Sequence, residues 1–296
     1  MPSPSLPASR KIVHYVSNLG IMAVIRLAQF LPYDTRIQFA GWLLQSLVGP
    51  LAGYQRRALS NLQRVMPRLS KAEHRLIARQ CLNNVGRTLI EFYSTAEFLD
   101  RFRSNTLEGD GVAALEAAAA EGRPVLLVSG HYGNFESARA ALVGRGYPVG
   151  GLYRNMANPY FNAHYVKAIE SFGGPGFAQG RKGTAGFVRH LRNGGQLVLF
   201  IDQHVFGAPA LDFMGVPART SLSAAELSLR YNALLIPFYG IRQPDGLTFQ
   251  TILEAPIPPS DPVAMTQALN DSLAARVRND PTQWFWVHRR WRAESD

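Results

Sequence analysis

Apolar residues recur with helical spacing over the first hundred positions, which predicts helices near 12–31, 35–48, 52–65 and 70–100. Ser70 with Glu73 three residues on has the pattern of a capping box at the start of the last of these. No β-rich run interrupts this region. From Thr106 the pattern changes. Short apolar runs at 125–129, 148–153, 197–201 and 234–239 predict strands, and they alternate with helical patterns at 134–144, 158–172, 183–192 and 221–231. That alternation predicts an α/β fold: a mixed, largely parallel sheet flanked by helices, preceded by an N-terminal helical, membrane-associating segment. Gln243-Pro-Asp-Gly246 is turn chemistry between two extended runs, so one antiparallel hairpin is expected late in the sheet. The chain divides into an N-terminal helical region, 1–104, and an α/β core, 105–296, forming one continuous domain.

Composition supports a packed core. Hydrophobic residues make up 47% of the 296 and charged residues 18%, which excludes wholesale disorder. The first ten residues are rich in Pro and Ser and are expected to be mobile. In the stretch 12–31, His14 and Arg26 break the apolar run and no small-residue cleavage site follows, so a cleaved signal peptide is not expected. The stretch 37–55 carries no formal charge but contains Gln38, Gln45, Ser46 and Pro50. A spanning helix needs about 20 mostly apolar residues. Neither stretch supplies a clean one, and both read as interfacial or re-entrant helices attached peripherally to a membrane surface.

Charge narrows the partners. The net charge is +10, and among the 31 basic residues only Lys11, Lys71, Lys167 and Lys182 are lysine. Part of that bias follows from genome composition. The rest fits bidentate recognition of anions: an acidic protein, a phosphorylated substrate, anionic lipid or nucleic acid. Cys81 is the single cysteine, so neither an internal disulfide nor a paired-cysteine zinc site can form, and its position in an apolar helix marks it as core filler.

The sharpest local signal is Val128-Ser-Gly-His-Tyr-Gly-Asn-Phe-Glu136, which leaves a buried strand and enters a helix. With His131 in the loop and Glu136 in the first helical turn, the carboxylate is expected to fold back onto imidazole Nδ1. Nε2 is then free to act as a base. Ligand sites of open α/β sheets gather at the carboxyl ends of strands. The runs ending at Tyr153 and Ile201 deliver Arg154 and Asp202 to that edge if they lie parallel to the first. Arg154 is then a cation for a phosphate or for developing negative charge, and Asp202 a second carboxylate or a loop cap. No Gly-x-Ser-x-Gly elbow, Walker loop, dinucleotide fingerprint or His-Glu-x-x-His is present, and Gly173-Gly-Pro-Gly176 reads as a turn. His131, His164 and His204 lack the partners of a metal site, so neither a metal nor a cofactor is expected. The C-terminal Trp284-Phe-Trp-Val-His288-Arg289-Arg290-Trp291-Arg292 suits a core-closing segment with solvated arginines, a lipid headgroup boundary or a base-stacking surface.

Taken together, these blocks resemble the late acyltransferases of lipid A biosynthesis, the lauroyl and myristoyl transferases of the lysophospholipid acyltransferase superfamily. The resemblance spans about residues 30 to 292. It rests on Arg56-Arg57-Ala-Leu-Ser-Asn61-Leu, Gly130-His131-Tyr132-Gly133-Asn134-Phe135-Glu136, Tyr153-Arg154-Asn155, Asp202-Gln203, Phe213-Met-Gly-Val-Pro-Ala-Arg219-Thr220 and the C-terminal block. It departs from many relatives in its less distinct N-terminal helix and in Met214, where an aromatic is frequent. The resemblance implies that His131 is the general base and Glu136 its orienting partner. It makes Gly133, Asn134, Tyr153, Arg154, Asp202, Gln203 and Arg219 supporting or substrate-binding residues. It implies an acyl carrier protein thioester as donor, with acyl coenzyme A in some relatives, and a glycolipid acceptor at the cytoplasmic face of the bacterial inner membrane. Alternative acceptors are an aminolipid, a lysophospholipid or a glycosylated phospholipid. A nucleic-acid-binding role is not expected, because it leaves the His131 block without a purpose.

Overall fold

The computed structural model describes residues 7–292. The mobility expected of the first ten residues lies outside the described residues for 1–6. From Ala8 onward the chain is helical. The N-terminal region comprises α1 (Ala8–Gln29), α2 (Tyr33–Leu43), a π-helical turn (Leu44–Val48), α3 (Gly49–Leu51), α4 (Tyr54–Val65), α5 (Lys71–Phe92) and α6 (Thr95–Phe102). Of the four predicted helices, the second is broken by the π turn and the fourth by Ser94. Ser70 and Glu73 form the reciprocal capping box at the start of α5.

The α/β part follows as β1 (Leu107–Glu108), α7 (Gly111–Ala120), β2 (Val125–Ser129), α8 (Phe135–Gly144), β3 (Gly150–Tyr153), α9 (Pro159–Ser171), β4 (Gly176–Ala178) and α10 (Arg181–Arg192). After β5 (Gln196–Phe200) come β6 (Ala210–Phe213), β7 (Val216–Arg219), α11 (Ser223–Tyr231), β8 (Leu234–Arg242), β9 (Phe249–Leu253) and α12 (Pro262–Asn279). A 3₁₀ turn (Pro281–Gln283) leads into the C-terminal segment. The main sheet has the order β1-β9-β8-β2-β5-β3-β4, parallel throughout except for the β8–β9 hairpin. The hairpin turns where Gln243–Gly246 was expected, with Asp245 accepting from the Leu247 and Thr248 amides. A separate two-stranded hairpin, β6–β7, turns at Met214 and Gly215, both with positive φ.

Central β2 is buried at every position, because helices cover both faces of the sheet. Its two faces feed separate apolar clusters. Leu127 and Val125 pack with Leu115, Leu142 and Phe238, and Leu126 and Val128 with Leu191, Leu235 and Leu269. A third cluster matters most for function. It joins Ala58 and Leu62 of α4 and Cys81 of α5 to Tyr132, Trp284, Trp286 and Trp291. The N-terminal helices are thereby anchored to the segment that follows β2.

The face of α1 turned outward is apolar, with Ile12, Val16, Leu19, Leu27 and Phe30 all more than half exposed. The helix Ser9–Gln29 is long and apolar enough to cross a membrane by length and composition, and only 17% of that window is buried. The sequence-based reading finds no clean segment here; the helix passes on length and mean hydropathy although it carries Arg10, Lys11, His14 and Arg26, three of them near its start. Asn158, at the start of α9, donates to the His14 carbonyl at 2.7 Å, so α1 lies beside the loop that leaves β3. Trp42 and Leu51 extend the exposed apolar surface.

Candidate active site

The site is built where β2 and β5 end side by side. Ser129 pairs in register with Phe200, so the residues two further on in each strand are brought opposite one another. These are His131 and Asp202. Asp202 Oδ1 lies 2.8 Å from His131 Nδ1, and Oδ2 accepts from the His131 backbone amide at 2.7 Å and from Trp284 Nε1 at 3.0 Å. Asp202 has no exposed surface. Burial alone would raise its pKa. The positive charge available on His131 and the hydrogen bonds from its ring and backbone outweigh that, holding the carboxyl well below the usual range. An ionised acceptor at Nδ1 assigns the ring proton to Nδ1 and leaves the lone pair on Nε2. The imidazole sits among Phe135, Phe200, Phe285 and His288, with ring centroids 4.5–6.3 Å away.

Two glycine-dependent contacts fix the loop. Gly133 has φ +59° and donates its amide to the Gln283 carbonyl at 2.9 Å. A Cβ there would stand 2.0 Å from the Gly240 carbonyl oxygen, so only glycine fits between β8 and the 3₁₀ turn. Asn134 then caps α8 by accepting from the Glu136 amide and donates to Glu91, whose carboxylate is held by Arg242.

Glu136 does not reach Nδ1. It occupies the first turn of α8, buried, and pairs with Arg139 at 3.2 Å. Burial pushes its pKa up, with Arg139 opposing. Arg139 also donates to the carbonyls of Val149 and Gly173, so the pair braces the entry to β3 and the turn before β4. The expected fold-back is corrected by geometry: a carboxylate five residues on points into the α8–β3 interface, whereas the neighbouring strand supplies one in register.

Of the remaining predicted residues, Tyr153, Arg154 and Gln203 lie at or just beyond the ends of β3 and β5 at the same sheet edge, whereas Arg219 ends β7 in the separate hairpin. Tyr153 ends β3, accepts from the Gln179 amide through its carbonyl and turns its ring towards Tyr165. Arg154 follows it and is exposed. Gln203 is exposed, and its carbonyl accepts from Arg290 at 3.2 Å. Arg219 donates to the Ala208 carbonyl within the loop that carries β6 and β7.

Sequence reasoning quoted Trp284, His288 and Arg290 without giving them a place in the site. The expectation of solvated arginines fails for Arg290, which is fully buried and donates to Gln203, Arg219 and Thr220. Burial lowers its pKa to about 10. The three tryptophans are in the core and unavailable for base stacking. Cys81 is inert, its thiol pushed up to about 12 by burial. His131, Asp202 and His288 offer donor atoms within 4.8 Å of one another. They do not fit a zinc centre, whose ligand atoms stand about 3.4 Å apart when bonds are near 2.1 Å, and both Asp202 oxygens are already engaged by N–H donors.

A buried carboxylate holding an imidazole with its outer nitrogen free, at the carboxyl edge of a parallel sheet, is equipment for moving a proton from a hydroxyl. The profile of the family described as bacterial lipid A biosynthesis acyltransferase matches residues 4–293, and the chain belongs to that family. It is similar to the lipid A biosynthesis lauroyltransferase of Escherichia coli K12, 26% identical over 243 residues that cover 80% of this chain and 78% of that protein. A lipid A biosynthesis acyltransferase of Haemophilus influenzae is 24% identical over 283 residues, 94% of this chain and 88% of that protein. A phosphatidylinositol mannoside acyltransferase of Mycobacterium tuberculosis is 26% identical over 188 residues, 62% and 60% of the two chains. The protein is an O-acyltransferase.

Proposed function

We propose that this enzyme moves a fatty acyl group from an acyl carrier protein thioester to a hydroxyl of a lipid A precursor at the cytoplasmic face of the inner membrane, with His131 as general base. The observation that carries the chemistry is the His131–Asp202 contact, which leaves Nε2 as the one ring nitrogen free to act. In the reaction, His131 Nε2 takes the proton of the acceptor hydroxyl while its oxygen bonds to the thioester carbonyl carbon. The C–S bond then breaks, and the proton passes from His131 to the departing sulfur. Asp202 stays ionised and stabilises the imidazolium between these steps. Glu136 positions the α8–β3 wall, and exposed Arg154 is the cation for an acceptor phosphate.

The acceptor is supported by the full-length similarity to two proteins named for lipid A biosynthesis. Support for an acidic protein donor comes from the charge of +10 and from α10, which turns Arg181, Lys182, Arg189 and Arg192 outward with no acidic residue between them. Membrane attachment is supported by the exposed apolar face of α1. The test is kcat/KM for one acyl chain on the carrier protein and on coenzyme A, with a lipid A precursor and a lysophospholipid as acceptors, at two salt concentrations. The reading predicts preference for the carrier-bound donor and the lipid A precursor, with the carrier preference shrinking as salt rises. Preference for coenzyme A at both salt concentrations overturns the donor, and preference for the lysophospholipid overturns the acceptor.

A further inference from the structure

His288 lies against the imidazole of His131, with a ring nitrogen within 4.8 Å of an Asp202 carboxylate oxygen. Its ring centroid is 4.5 Å from that of His131, edge to face, and 4.6 Å from Phe285. Its position is fixed from outside the site: Asn61 of α4 donates to the His288 carbonyl at 2.8 Å and Arg57 to the Val287 carbonyl at 3.4 Å. Nothing occupies the ring's outer nitrogen. Nε2 is buried and has no hydrogen-bond partner, an arrangement that costs free energy unless a partner arrives during the reaction cycle. The charged and titratable groups facing it are His131 from the β2–α8 loop, Asp202 from the end of β5 and Arg290 from its own segment.

We propose that His288 is a positioning residue for acyl transfer: a neutral imidazole whose Nε2 accepts a hydrogen bond from the proton that His131 holds between acceptor and leaving group. The inference rests on His131 being the base. Two imidazoles this close do not both carry charge, and the surroundings decide which one does. Asp202 contacts His131 through both the ring and the backbone amide, so His131 is the member that charges. Burial, with His131 and Arg290 adding to it, keeps His288 neutral, with a pKa near 4. With its proton on Nδ1, its Nε2 lone pair is available to the His131 imidazolium and has no use when His131 is neutral. No bond to His288 is made or broken. It stabilises the charged base and holds its ring against Phe200, so Nε2 of His131 keeps its aim.

The experiment compares wild type with His131→Ala, His288→Phe and His288→Gln in steady-state transfer across pH. His288→Phe keeps the ring and removes the acceptor. It should lower kcat about tenfold with KM for both substrates little changed. Because losing an acceptor disfavours the charged form of His131, the acid limb of its pH profile should also move to lower pH. His288→Gln places an amide oxygen near the Nε2 position and should recover most of the loss. Wild-type kcat and an unshifted acid limb in His288→Phe would overturn the proposal, as would equal losses in the two variants, which denote packing. Resonances of ¹⁵N-labelled histidines in the wild-type protein test it without any variant: His288 should remain neutral from pH 8 to 5, and titration of His288 above pH 6 would overturn it. Activity in His131→Ala would instead remove the reading of His131 as base, a separate failure.

Discussion

Asp202 keeps a negative charge with no surface exposed to water, and three N–H donors keep it there. Trp284 contributes one of them, so the core tryptophan also holds the carboxylate that contacts His131. Glu136, by contrast, is half of a buried ion pair whose donors go to backbone carbonyls. Removing one partner of such a pair costs about 3–5 kcal/mol. Glu136→Ala should therefore lower the thermal midpoint by several degrees, while the fraction that folds retains acid–base chemistry with an unshifted pH profile. Calorimetry beside active-site titration separates the two effects. His288 gives a pH dependence of stability with a definite sign. Burial holds its pKa at about 4 in the folded protein, against 6.5 for a free imidazole. Between those values the unfolded chain binds the extra proton, so stability falls as pH drops from 6.5 to 4, by about 3 kcal/mol from this group. Urea midpoints at pH 7 and 5 should converge in His288→Asn relative to wild type.

At the scale of elements, the strands that build the site were legible because they are short and mostly apolar, with Gly130 after one and Gly195 before the other. The 125–129 run coincides with β2, and the 196–200 strand begins one residue before its expected start. The parallel order then brings Asp202 to His131. What periodicity could not reveal was which carboxylate contacts His131. The Glu136 spacing is local and visible, whereas the Asp202 contact depends on strand register over 71 residues. The β6–β7 hairpin was missed because its four-residue strands are interrupted by Pro217 and joined by Met214-Gly215 rather than an Asn-Gly turn. The capping box at α5 was read correctly from Ser70 and Glu73. Ser70→Ala should destabilise the protein by about 1 kcal/mol without changing turnover, a combination checked by denaturant unfolding and initial rates.

For the whole molecule, the arrangement of surfaces matters more than any one contact. The apolar face of α1 lies next to the loop carrying Arg154, and so next to the carboxyl edge where His131 stands. A lipid acceptor reaching that edge from a bilayer need not leave the membrane entirely. Replacing Leu19, Leu27 and Phe30 with serine should reduce co-sedimentation with anionic vesicles while leaving the thermal midpoint within about 2 °C, since surface changes away from packed features cost little. The basic face of α10 follows β4, the edge strand beyond β3. The account stands or falls on how the base is held. The most direct measurement is single-turnover transfer from a labelled acyl thioester by wild type, Asp202→Asn and Glu136→Gln, each verified as folded. The account predicts a loss of at least about 10³-fold in Asp202→Asn, which misdirects the imidazole tautomer, and less than about tenfold in Glu136→Gln. The reverse order, with Glu136→Gln the inactive enzyme and Asp202→Asn near wild type, would contradict it.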